Sequence, residues 1–147
     1  MTFTVLWGPV LTVMGLIFYA SSLSDPGAPA NISDKAAHFL VYGALGGTLI
    51  RALAGGRSAR MTAMRILGAT VLATLYGVSD EIHQMFVPLR TPDWQDVCAD
   101  AFGAVTGAVV VGLAAKLLSR TGGTGDPGAP SAAILGVCPC AKIPRPA

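Results

Sequence analysis

Tyr76-Gly77-Val78-Ser79-Asp80-Glu81-Ile82-His83-Gln84-Met85-Phe86-Val87-Pro88-Leu89-Arg90-Thr91-Pro92-Asp93-Trp94-Gln95-Asp96-Val97-Cys98-Ala99-Asp100 is the stretch on which the fold turns. An apolar run leads into Asp80, Glu81, His83 and Gln84. Arg90, Asp93 and Asp96 follow, and Asp100 heads the next apolar run. This is the pattern of two membrane helices joined by a polar hairpin at one membrane boundary. Ionisable residues in or beside a bilayer are expensive and are kept for a task.

Composition agrees with lipid as the solvent. Of 147 residues, 52% are hydrophobic and 12% charged, where a soluble domain carries about 25% charged residues. A helical span needs roughly 20 apolar residues, and four such runs can be drawn: about Phe3 to Leu23, Lys35 to Leu53, Met64 to Gln84, and Val97 to Leu118. The fold expected is all-α, a polytopic bundle of four transmembrane helices occupying residues 1–120. From Thr121 to Ala147 the Gly/Pro/Thr/Ser/Ala composition cannot support a packed core, and this tail is expected to be disordered. Ser33 is a candidate N-cap for the second helix. The first apolar run is read as a retained span rather than a signal peptide: no Lys or Arg precedes it, and it is longer than a signal core.

A net charge of +2 is too mild to imply nucleic acid, no basic-aromatic interleaving supports it, and no nucleic-acid partner is expected. Cys98, Cys138 and Cys140 lack zinc-finger spacing. Arg51, Arg57, Arg60 and Arg65 crowd the second connection, and Lys116 and Arg120 end the fourth run. Positive connections stay in the cytoplasm, so both termini are expected inside and the polar hairpin outside.

That topology brings three helix ends to the outer boundary. Asp34, His38 and Tyr42 are spaced i, i+4, i+8 and descend one face by about 6 Å per step, with Lys35 beside them. Asp80 and Gln84 share a face, with Glu81 and His83 alongside. Asp96 and Asp100 are again i, i+4. Asp80 and Glu81 sit at a helix C-terminus, where the macrodipole disfavours anions by roughly 0.3–1 kcal/mol. They require compensation from Arg90, Lys35, a histidine, a cation or a ligand. Asp34, His38, Asp80, Glu81, Gln84, Arg90 and Asp96 are therefore expected to converge, with Arg90 folded back onto a carboxylate. Metal ligation, with His38, Asp80, Glu81 and His83 as candidate ligands, is weighed and not favoured, since no tight ligand pair such as HExxH is present. Gly43-x-x-x-Gly47 and Gly103-x-x-x-Gly107 permit close backbone approach and are read as packing of the second span on the fourth.

These residues resemble the VanZ family of small bacterial membrane proteins. The resemblance rests on Ser33-Asp34-Lys35-x-x-His38-Phe39-x-x-Tyr42, on Tyr76-Gly77-x-x-Asp80-Glu81-x-His83-Gln84-x-Phe86-x-Pro88-x-Arg90, and on Asp93-x-x-Asp96-x-x-x-Asp100-x-x-Gly103-x-x-x-Gly107. It covers about Phe3 to Arg120. Asp100 departs from the family's more usual Asn, and Leu89 from its usual Gly. The resemblance implies a multi-pass protein of the bacterial cell membrane with a role at the envelope, its namesake being linked to resistance to teicoplanin, a lipid-tailed glycopeptide. Three readings of the polar site stay open. It binds a lipid headgroup, lipid-linked cell-wall precursor or lipoglycopeptide; it is a membrane-embedded enzyme using acid/base or metal-assisted chemistry on a lipid-linked substrate; or it is a scaffold that pins helices together.

Overall fold

The computed structural model describes residues 2–25, 32–57 and 60–121. Among them the chain forms four helices: α1 Phe3–Ser21, α2 Asp34–Leu53, α3 Ala63–Gln84 and α4 Trp94–Thr121. The disordered-tail expectation and the Cys138/Cys140 pair fall on residues outside the described ones, as do residues 26–31 of the first connection.

Local chemistry sets the helix ends. Ser33 Oγ accepts from the Ala36 backbone N–H at 3.3 Å, capping α2 as expected. α2 stops at Gly55 and Gly56, both at positive φ (62° and 70°), with the Gly56 N–H donating to the Arg51 carbonyl. α4 begins three residues earlier than the apolar run suggests. Asp93 Oδ1 accepts from the Gln95 N–H at 2.9 Å, so the polar residues 94–96 join the helix as its first turn. Pro9 lies inside α1 and has no N–H to give the Val5 carbonyl. Arg51 Nη1 donates to that carbonyl instead, at 3.0 Å, and ties α1 to the far end of α2.

α1, α2 and α4 are long and apolar enough to cross a membrane. α3 has 22 residues, about 33 Å of helix. It is long enough to span but less apolar, because Arg65 opens it and Asp80-Glu81-Ile82-His83-Gln84 closes it. Large side chains such as Leu11, Leu16, Phe18, Leu40, Leu75, Phe102 and Leu113 point outward. In water this surface would be a liability; against hydrocarbon it is the expected exterior.

The inside is built from small residues. α2 and α4 form the most intimate pair. A Cβ placed on Gly46, Gly103 or Gly107 would collide with the backbone of Ala104, Phe39 or Gly43 on the opposite helix. The two glycine pairs of the sequence therefore face each other, letting the backbones touch. α3 adds the stripe Ala69, Ala73 and Gly77, which turns polar at Asp80, Glu81 and Gln84 without leaving the buried face. The starts of α2 and α4 and the ends of α1 and α3 thus meet at one end of the bundle.

Two predictions follow from this packing and from the α3–α4 connection. Gly107→Ala should destabilise the protein by about 1–3 kcal/mol through overpacking. Gly112→Ala, whose new methyl meets nothing within 4 Å, should be neutral or slightly stabilising; unfolding in mixed micelles reads both. Leu89 holds φ 65° with a 92% exposed side chain. Leu89→Gly should therefore raise stability by about 0.5–1 kcal/mol, the left-handed backbone cost less the added unfolded-state entropy. An unchanged melting temperature would refute the strain at this turn.

Candidate functional site

The polar end of the bundle divides into two halves. The first is a closed network among α2, α3 and α4. Lys35 Nζ reaches Asp93 Oδ2 at 2.7 Å and Asp96 Oδ1 at 3.2 Å. His38 Nδ1 lies 2.9 Å from Asp100 Oδ1, and Asp100 is wholly buried. Glu81 Oε2 accepts from the Asp93 backbone N–H at 2.8 Å, tying the last turn of α3 to the start of α4. The Lys35 ammonium beside Asp93, helped by the Gln95 N–H, holds the Asp93 carboxyl below the usual carboxylate range.

Gly77 makes this network possible. A Cβ there would strike the Asp100 carboxylate, so glycine lets α3 close over it. Asp100 Oδ2 and Glu81 Oε1 are nevertheless buried with no hydrogen-bond partner among the described residues.

The second half is an open chamber of about 370 Å³ between α1, α2, α3 and the α3–α4 connection. Asp34, His38, Tyr42, Asp80, Gln84 and Arg90 line it, together with Ser21. Gln84 Nε2 donates to Asp80 Oδ2 at 3.2 Å. Arg90 is anchored by its Nε on the Leu23 carbonyl at 3.3 Å, and its Nη1 stands 4.0 Å from Asp34 Oδ1. The Tyr42 ring lies nearly parallel to that of His38, at 3° and 6.1 Å. Tyr42 Oη and Ser21 Oγ are both buried and have no partner among the described residues. A buried hydroxyl left unsatisfied costs about 1–3 kcal/mol, and both belong to residues of the chamber wall.

The expected residues are thus gathered at one end, with one exception and two changes of partner. His83 does not join them. Successive helical residues turn by about 100°, which puts His83 roughly 100° off the face carrying Asp80, Glu81 and Gln84. It turns to α1 instead, stacking on Phe18 at 4.7 Å and meeting Ser22 Oγ at 3.1 Å. Asp80 and Glu81 are compensated by an amide and a backbone N–H, not by a cation. Lys35 serves Asp93 and Asp96. Sequence reading missed Ser21 altogether; its signal was a hydroxyl closing an apolar run at the same boundary as Asp34 and Gln84.

The metal candidates regroup as well. His38, Asp80, Glu81 and His83 do not assemble into one set. Among the described residues, the side chains near enough to share an ion are Asp34, His38 and Asp96, each offering one ligand atom within 4.8 Å of the others. This mixed nitrogen and oxygen set could hold a divalent cation. Asp96 already pairs with Lys35, however, and Asp34 stands near Arg90.

His38 carries the clearest chemical option. With Nδ1 taken by Asp100, Nε2 is the ring nitrogen left to the chamber, the arrangement that orients a histidine as proton donor, acceptor or ligand.

The sequence profile of the VanZ/LLP1 family matches residues 6–115. No curated protein and no solved structure matches the chain. The matched span runs from the first turns of α1 to near the end of α4 and contains every residue of the network and the chamber. A four-helix bundle with an apolar exterior, the motif residues gathered at one end and the family match over three quarters of the chain identify this protein as a membrane protein of the VanZ/LLP1 family.

Proposed function

We propose that the chamber binds the polar head of an amphipathic molecule at the outer face of the bacterial cell membrane. A lipid-linked cell-wall precursor, a lipid headgroup or a lipoglycopeptide such as teicoplanin would meet that description. The observation that carries this reading is a chamber whose wall residues include Ser21 and Tyr42, with buried unpartnered hydroxyls, and whose other polar groups are only partly engaged. Unlike the Lys35 network, which is closed among α2, α3 and α4, this half stays open and has room for a guest. The outward direction is supported by the arginine-rich second connection, since positive connections tend to stay in the cytoplasm.

One observation favours a second reading, a membrane-embedded enzyme: the His38–Asp100 contact, which orients an imidazole toward the chamber. In that case His38 is the acid/base for a lipid-linked substrate.

Orientation is tested first. In a cysteine-free background, Thr91→Cys should react with an impermeant maleimide in whole cells and Arg57→Cys should not; the opposite pattern removes the outward site. Function is tested by teicoplanin susceptibility of cells expressing matched protein levels. Asp80→Asn removes a charged acceptor from the chamber and should weaken headgroup binding about 10- to 100-fold, abolishing protection. Glu81→Gln keeps the acceptor for the Asp93 N–H and should be much milder. Wild-type protection from Asp80→Asn favours the scaffold. Turnover of a radiolabelled lipid-linked sugar that falls about 100-fold or more in His38→Gln establishes the enzyme instead.

A further inference from the structure

The polar chamber is not isolated. Ile17 and Ala20 of α1 and Leu40 and Val41 of α2 line both the chamber and a neighbouring apolar groove of about 530 Å³. The groove continues along α1 from Ala20 to Val13, about 10 Å at 1.5 Å per residue, and along α2 to Ala44. That reach is roughly two thirds of one leaflet's hydrocarbon depth. Leu16 and Leu40 on its walls are 62% and 60% exposed, so it opens sideways toward lipid. A headgroup in the chamber would have its chain leave through this groove without crossing a polar surface.

The chamber also discriminates between headgroups. Its lining sets Asp34 and Asp80 against Arg90 and His38, with no surplus of positive charge. A phosphate would meet two carboxylates. Sugar-like hydroxyls would donate to those carboxylates; Ser21 and Tyr42, whose buried unpartnered hydroxyls can each donate and accept, are wall residues beside them.

We infer that the ligand is a lipid with an uncharged, hydroxyl-rich headgroup, seated in the chamber with one hydrocarbon chain lying in the α1–α2 groove. The inference rests on the reading of the chamber as a headgroup site and adds the class of head and the path of the chain.

The test uses the full chain in phosphatidylcholine nanodiscs, with binding of radiolabelled dodecyl glucoside, dodecyl phosphate and glucose followed by equilibrium dialysis. Dodecyl glucoside should bind saturably, with dodecyl phosphate and glucose at least about 10-fold weaker. Tyr42→Phe removes one hydroxyl from the chamber and should weaken dodecyl glucoside about three- to tenfold. Ala44→Trp fills the groove from an exposed position outside the chamber and should weaken it about tenfold. Leu16→Trp blocks the opposite wall and should do the same, and Leu117→Trp on α4 should leave binding within about twofold. Tighter binding of dodecyl phosphate would overturn the headgroup assignment. Loss in Tyr42→Phe with full binding in both folded groove variants would overturn the chain path and leave the chamber reading standing. Absence of saturable binding by all three probes would overturn both.

Discussion

Everything at the polar end depends on how closely α2 and α4 approach. His38 can meet Asp100, and Lys35 can meet Asp93 and Asp96, only because no side chain separates the two backbones at Gly43, Gly46, Gly103 and Gly107. Lipid tails give no hydrophobic reason for helices to associate, so contact area and buried polar bonds must supply the attraction. The glycines supply the first and permit the second. A helix pair held a few ångströms further apart would leave these charges in or near hydrocarbon without partners, where a carboxylate costs about 2.5–3.5 kcal/mol at the bilayer centre.

The two halves of the site differ in how far they are closed; each leaves two buried polar atoms without a partner among the described residues. In the closed half, Lys35, His38 and the Asp93 N–H each find a carboxylate, and α3 is stitched to α4 through Glu81. In the open half, Ser21, Tyr42 and an anchored arginine stand in the wall of a space of about 370 Å³. His38 belongs to both: Asp100 fixes one ring nitrogen and leaves the other to the chamber. The network and the chamber are thus one construction, in which the closed half holds the chamber wall.

Leu89 and Asp100, the two positions where the chain differs from what the resemblance implies, have physical addresses. Leu89 occupies a left-handed backbone position that suits glycine. At Asp100, where the resemblance implies an amide, one carboxylate oxygen faces His38 and the other is buried against Gly77. An amide there would place a donor where the carboxylate has an unpartnered oxygen.

Helix number, approximate lengths, the Ser33 cap and the facing glycine pairs were all legible in the sequence, because apolar run length, capping chemistry and i, i+4 spacing are local properties of the chain. So was the end of the bundle at which the polar residues gather, since successive spans must alternate in direction. Tertiary structure alone decided who pairs with whom. The rotation of the last turn of α3 sends His83 to Phe18 and keeps Asp80, Glu81 and Gln84 inside. The packing of α1 turns Ser21 into a chamber wall, and Arg51 supplies the hydrogen bond that Pro9 denies Val5. Partners drawn from 46 to 62 residues away in sequence, such as Arg51 with Val5 and His38 with Asp100, are fixed by helix rotation and spacing. No local pattern encodes those.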